Sequence, residues 1–282
     1  MLVARLNYNS FIKQQLETKI MNAEIVSIEI DSFPRFLEEI ETISKTNDRL
    51  WFRGVSNKTH KLAPSIYRND FTPALEESFQ TKFKSRALPF LKNRPVENYW
   101  EWLFIMQHHG VPTRLLDWSS SALVALGFAI MFRDNNDEDA AIWCLNPLKL
   151  NEATRVILTP LDKIPDISTN TNAQASYKFD AAARAEYPLA ITGPLNNERI
   201  AAQKGTFTLF PNSDKFNLEE KVEAHNFLTL LIIKKETIGI LKSQLYYLGM
   251  TESTIYPDLN NLALEIKREF IESLPVNPVA NV

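Results

Sequence analysis

Glycine is the first scarcity. The 282-residue chain has 7, where average usage gives about 20, and no two lie closer than ten residues. A GxGxxG or GxxxxGK phosphate loop cannot be written in such a sequence, which excludes the glycine-loop dinucleotide fold and the P-loop ATPases. Cysteine is scarcer still. Cys144 stands alone, so a disulfide scaffold, a CxxC redox pair and a cysteine-rich zinc site are all excluded. The histidines, His60, His108, His109 and His225, form no HExxH, and no metal site is expected. The longest apolar run, Ala122 to Phe132, has 11 residues, against the roughly 20 that a membrane span needs. The opening MLVARLNYNSF has no basic stretch followed by an apolar one, so no secretory signal is expected. A net charge of -3 argues against a general nucleic-acid coat and leaves a local basic patch open. The expectation is a cytoplasmic protein without a membrane partner, its oligomeric state open.

What is present reads as a mixture of short strands and helices. Residues 1–30 form a lead, with a helix over 11–20 and a strand at EIVSIEI (24–30) by its period of two. Asp31-Ser32 followed by Pro34 marks a helix start. RLWFR (49–53) is a short strand closed by Gly54. Helices are expected from Thr72-Pro73 to about Leu91, from Val96 to His109 with Gly110 as its stop, and from Ser119 to Phe132 with serines in its first turn. VPTRLLDW (111–118) reads as irregular. AAIWCL (140–145) is a buried strand, 160–175 a long mobile loop, and 177–186 a helix. Further strands are expected at 189–192, 199–203, 206–210 and 227–234, and helices at 238–248 and 259–271. There is no regular βαβ alternation, so the class is α+β.

Three separated stretches stand out in order: WFRG (51–54), MQHHGVPTRLLDWSSSALVALGFA (106–129) and RIAAQKGTFTLF (199–210). Together with LGMTESTIYPDLNNLA (248–263) they resemble the FRG domain, a bacterial family named for its Phe-Arg-Gly tripeptide. The resemblance spans about residues 30–270, implying one FRG domain over 31–271 and a tail at 272–282. Toxin or phage-defence settings are what it implies.

A more distant likeness is to mono-ADP-ribosyltransferases of the Arg–Ser–Glu type. Phe52-Arg53-Gly54 is similar to their early strand, and Ser119-Ser120-Ser121 before Ala125-Leu126-Gly127-Phe128 to their Ser-x-Ser element. The 199–203 strand would stand for the third element, with Glu198 or Gln203 near the place of the catalytic glutamate. The likeness implies a central, split, mostly antiparallel sheet flanked by helices, a nucleotide ligand, NAD as substrate and a macromolecular acceptor or water. The catalytic candidates are then Arg53, Ser119, Glu198 and Gln203. The candidate binding residues are Arg53, Gly54, His108, His109, Arg114, Asp117, Ser119, Ser120 and Ser121. The chemistry suits these residue types. A guanidinium fork meets phosphate oxygens with two donors, a hydroxyl can orient a ribose, and a carboxylate counters an oxocarbenium-like carbon. A glutamine supplies the hydrogen bond without the charge.

Each candidate has a plainer role. Arg53 could form a buried ion pair with Asp117, Arg114 could pair with Asp117, and the serines could cap a helix. The tryptophans at 51, 100, 102 and 118 could be core or pocket wall, and Gly205 could supply a positive φ in a turn after Gln203. A non-catalytic recognition module is the alternative to the enzyme. A phosphate-handling hydrolase or nuclease built on His108, His109 and Asp117 is the third reading.

Overall fold

A computed structural model of the chain describes residues 24–273 apart from 69–70, 92–95, 97, 134–136, 155–162, 180–184 and 195–197. The helix expected at 11–20 lies outside the described residues.

The strands are β1 (Val26–Ile30), β2 (Trp51–Val55), β3 (Leu115–Ser119), β4 (Ala140–Leu145), β5 (Leu189–Ile191), β6 (Gly205–Leu209) and β7 (Leu228–Ile233). They form one seven-stranded sheet in the order β1-β7-β4-β2-β3-β6-β5. Only β1 and β7 pair in parallel; every other neighbouring pair is antiparallel. The class is therefore α+β with a mostly antiparallel sheet, as expected. The sheet is not divided in two, but its join is narrow. β2 and β3 share the single register pair Phe52↔Ser119, whereas β2 pairs with β4 over five residues and β3 with β6 over five.

The helices are α1 (Phe33–Ser44), α2 (Leu75–Ala87), α3 (Tyr99–His108), α4 (Ala122–Ile130), α5 (Pro147–Ala153), α6 (Thr171–Tyr177), α7 (Glu198–Ala202), α8 (Ala224–Phe227), α9 (Ile238–Tyr247), α10 (Glu252–Ile255) and α11 (Leu259–Ser273). Ser32 caps α1 as expected, by accepting from the Arg35 amide. α3 begins at Tyr99 and not at Val96, because Asn98 caps it by accepting from the amides of Trp100 and Glu101. Gly110 and Gly249 follow α3 and α9 at φ +75° and +78°, the left-handed conformation that ends a helix most easily on glycine.

Alternation along the strands divides the core into layers. One face carries two apolar clusters side by side. Phe52, Ile142, Cys144 and Leu231 pack under α4, α9 and α10, and Leu115, Phe207, Leu209 and Ile191 pack under α3 and α6. The other face carries Trp51, Val55, Leu116, Trp118 and Trp143 against Leu62, Tyr67, Phe210 and Phe227.

Several expectations are corrected. Residues 199–203 are helical, inside α7 and its closing turn, and not a strand. Residues 115–119 are a strand, so Ser119 ends β3 and only Ser121 caps α4. Gly54 lies inside β2 and does not close it. The loop expected over 160–175 contains α6, which ends at Tyr177 where a helix was expected to begin; 180–184 lie outside the described residues. The positive φ near Gln203 belongs to Lys204, at +47°, and not to Gly205.

Candidate functional site

A cavity of about 260 Å³ opens where β2 and β3 part. By alternation Asp117 and Ser119 of β3 and Phe207 of β6 line it from the sheet. Gln107 and His108 reach it from the end of α3, Arg199 and Ile200 from α7, and Tyr256 from the turn after α10. Phe104, Phe128 and Phe207 supply aromatic wall.

Arg53 belongs by alternation to the face opposite Phe52, yet its guanidinium also lines this cavity. The ladder between β2 and β3 stops after one pair, and Arg53 Nη1 donates to the main-chain carbonyl of Asp117 at 2.6 Å. This is a side-chain bridge across the parted strands, not the expected ion pair with the Asp117 carboxylate. The Nε of Arg53 is buried and has no hydrogen-bond partner among the described residues. Burial pulls the guanidinium down to about 10, with Asp117 opposing that shift and Arg68 adding to it. It therefore stays charged at neutral pH while carrying an unmet donor.

The Asp117 carboxylate is held from one side only. Its Oδ2 accepts from Gln107 Nε2 at 2.8 Å, and the Gln107 carbonyl accepts from Thr113 Oγ1 at 2.5 Å. The residue is exposed, so its other oxygen is available to a ligand in the cavity. His108 is half-buried; burial, then His109 and Arg199, push its imidazole below the ordinary histidine value. It is accordingly neutral at pH 7 and able to accept a proton. Arg199 lies over the Tyr256 ring, with Cζ 4.5 Å from the centroid, a stacking that fixes a planar cation at the mouth. Burial raises the Tyr256 phenol, with Arg199 opposing.

The structure thus brings Arg53, Gly54, His108, Asp117, Ser119 and Gln203 to one concavity. Their roles within it differ from those expected. Ser119 Oγ donates to the Gln203 carbonyl at 2.7 Å and accepts from the Ser121 amide at 3.0 Å. Gln203 Nε2 donates to the Ile255 carbonyl. Both side chains are committed to holding β3, the turn after α7 and the end of α10 together. Gly54 is required by packing: a Cβ there would stand 1.8 Å from the Ala125 carbonyl of α4.

Arg114, His109, Ser120, Ser121 and Glu198 do not line the cavity. Arg114 is fully buried on Glu76. Its amide donates to Oε1 at 2.6 Å and its Nε to Oε2 at 2.7 Å. Burial opposes that charge, but Glu76 and Tyr99 together raise the guanidinium above its ordinary value. His109 is exposed and caps α3. The Ser120 amide and Oγ both donate to the Lys204 carbonyl, Ser121 caps α4, and Glu198 is exposed at the start of α7. Glu198 lies outside the cavity lining, and Gln203, which lines it, carries only a neutral amide. Trp51, Trp100 and Trp102 are core, whereas Trp118 is both buried and part of the wall.

Sequence reasoning missed Gln107, Arg199 and Tyr256. All three fall inside the stretches 106–129, 199–210 and 248–263 that stood out, but nothing local separates them from their neighbours. Among the described residues, no group of three or more His, Cys, Asp and Glu side chains gathers in a way that could hold a metal ion. No helix among them is long and apolar enough to cross a membrane.

Residues 48–139 match the family model of the FRG domain. That segment contains Arg53, Gln107, His108 and Asp117, and hence β2, α3, β3 and α4; Arg199, Gln203 and Tyr256 come from beyond it. No curated protein and no solved structure matches the chain.

Proposed function

With the FRG-domain match of residues 48–139 as premise, we propose that the cavity binds a phosphate-bearing nucleotide, NAD, and breaks its nicotinamide–ribose bond. The observation that carries this is the pairing of an unmet buried guanidinium, Arg53, with a half-free carboxylate, Asp117, in one aromatic-walled concavity. Arg53 and Arg199 grip phosphate oxygens. The aromatic walls take a ring face. A cavity of about 260 Å³ is smaller than the roughly 300–1,000 Å³ of ordinary small-ligand clefts, so it encloses the reacting end of a dinucleotide and leaves the rest outside.

The reaction follows the logic of glycoside cleavage. The C1′–N bond breaks with its electron pair leaving on the nicotinamide nitrogen, and positive charge develops at C1′. Asp117, which lines the cavity where Glu198 does not, is the carboxylate that stabilises that charge and holds a ribose hydroxyl. An acceptor hydroxyl or water then forms the new C1′–O bond and gives its proton to the neutral imidazole of His108.

Calorimetric titration with NAD, joined to an assay of nicotinamide release, tests this. Arg53→Gln and Arg199→Ala should each weaken binding by about tenfold or more, the worth of a charged hydrogen bond. Asp117→Asn should leave binding largely intact and lower turnover by about 10²–10³. Absence of both binding and release removes the proposal. Binding without release, unchanged in Asp117→Asn, supports the non-catalytic recognition module, a reading favoured by the commitment of Gln203 to Ile255 and of Asp117 to Gln107.

A further inference from the structure

Arg53 lines a second cavity, of about 440 Å³, on the other face of the sheet. This basin is walled by Val55, Ala63 and Tyr67 of that face's apolar layer and carries His60, Lys61 and Arg68 at its rim. None of its lining residues is acidic. We propose that this basin is a binding site for a phosphate group, held by Arg53, Arg68 and His60, and distinct from the nucleotide cavity.

The charge arrangement asks for an anion. Arg68 uses Nε and Nη2 on the Ala63 carbonyl, at 3.0 and 2.8 Å, and Arg53 uses Nη1 on the Asp117 carbonyl. Neither guanidinium is in an ion pair among the described residues; both are anchored by neutral main-chain oxygens, which fix position without neutralising charge. Arg53 Nε is buried without a partner among the described residues, and the exposed Arg68 binds the Ala63 carbonyl through Nε and Nη2 only. Lys61 differs, since Glu219 and Glu220 neutralise it at 3.6 and 3.2 Å. The three remaining groups oppose one another. Burial and then Arg68 and Arg53 hold His60 below its ordinary value, and burial lowers Arg68, with Asp117 on the far side of the sheet opposing. A dianion among them would relieve that repulsion and accept from planar donors in the geometry phosphate favours. The second ring nitrogen donor of a protonated His60 would complete the shell. The Tyr67 hydroxyl is spent on the Pro211 carbonyl, so it shapes the wall without binding.

Inorganic phosphate is the probe, followed by calorimetry and by the His60 ring signals in NMR, with adenosine 5′-monophosphate as a second arm. Saturable phosphate binding that shifts the His60 signals is expected. It should weaken about tenfold or more in Arg68→Gln, weaken in His60→Gln, and stay unchanged in Arg199→Ala, which touches only the first cavity. His60 is exposed and its side chain makes no hydrogen bond among the described residues, so His60→Gln reads binding even if Arg68→Gln fails to fold. Competition between the monophosphate and inorganic phosphate supports an esterified ligand; phosphate binding alone supports the free ion. No saturable binding, or binding lost in Arg199→Ala and kept in His60→Gln, overturns the proposal. The basin shares Arg53 with the first cavity, but its test turns on Arg68 and His60, which the NAD reading does not use. Phosphate bound there by a protein that ignores NAD would remove the NAD reading and leave the basin.

Discussion

At the scale of single residues, Arg114 and Asp117 teach the same lesson from opposite sides. Three apart in sequence, they read equally well as a pair or as two ligand contacts. In the fold Arg114 goes inward to Glu76, 38 positions earlier, and Asp117 goes outward into the cavity. Which one is the structural charge depends on where α2 lies, and that is not written near either residue. Removing one partner of a buried ion pair strands the other, so Glu76→Ala should cost about 3–5 kcal/mol. The double change Glu76→Leu with Arg114→Met should recover most of that loss in urea unfolding. If the double variant is as unstable as the single, the pair is more than a structural charge couple. Gly54 shows a similar divide. The tripeptide flags it, but its reason is the α4 backbone, where an added methyl would press on the Ala125 carbonyl and stand 2.7 Å from the Ala129 amide. Overpacking ordinarily costs about 1–3 kcal/mol, and contact with rigid backbone places Gly54→Ala at the upper end or beyond. A midpoint of denaturation within error of the parent would refute that account.

At the scale of elements, capping signals are legible in the sequence because they act within four residues. Ser32, Gly110 and Gly249 all sit where local chemistry puts them, whereas Asn98 caps a helix that was expected to begin at Val96. The misread segments are those in which a neighbour decided. RIAAQ carries an alternation too short to separate strand from helix; it coils as α7 because Lys204 accepts the left-handed conformation and turns the chain into β6. SSS was assigned as one helix tip, yet it is divided between the end of β3 and the cap of α4. That division predicts unequal effects. Ser121→Ala loses a cap on the Val124 amide and should cost about 1 kcal/mol. Ser119→Ala strands both the Gln203 carbonyl and the Ser121 amide in a part-buried position and should cost more, about 1–3 kcal/mol. Thermal unfolding of the two variants side by side would reverse this order only if Ser119 bonded solvent instead.

At the scale of the whole molecule, the sheet is two ladders joined at one register pair, and the first cavity opens beside that short join. Arg53 fills the opening and reaches both faces. Within the β1-β7-β4-β2 ladder, long-range polar contacts converge on Asp139. It accepts from Lys58 Nζ at 2.9 Å and from the Lys235 amide at 3.1 Å, joining the turn after β2, the start of β4 and the end of β7. The Lys58 hydrogen bond above all, then the Lys235 amide and the Lys58 and Lys234 charges, hold its carboxyl below the usual aspartate range against the opposing effect of burial. A carboxylate lowered in this way stabilises the fold fully above its unfolded value, near 3.9, and the contribution fades as pH falls through the lower folded value. Lys58→Met should therefore lower the melting temperature at neutral pH and converge on the parent below about pH 4. A difference that stays constant with pH would show that Lys58 acts by packing alone.

Composition, period and caps were sufficient to determine the α+β class and most strands and helices, since each rests on interactions within a turn or a pleat; the four stretches that wall the cavity stood out only by their resemblance to a known family. The strand order, the parallel β1–β7 pair and the parting of β2 from β3 are settled by contacts between residues tens to hundreds of positions apart. That Asp117 lines the cavity and Glu198 does not was settled there too, because a strand directs alternate side chains to one face and only the packed sheet shows which face is hollow.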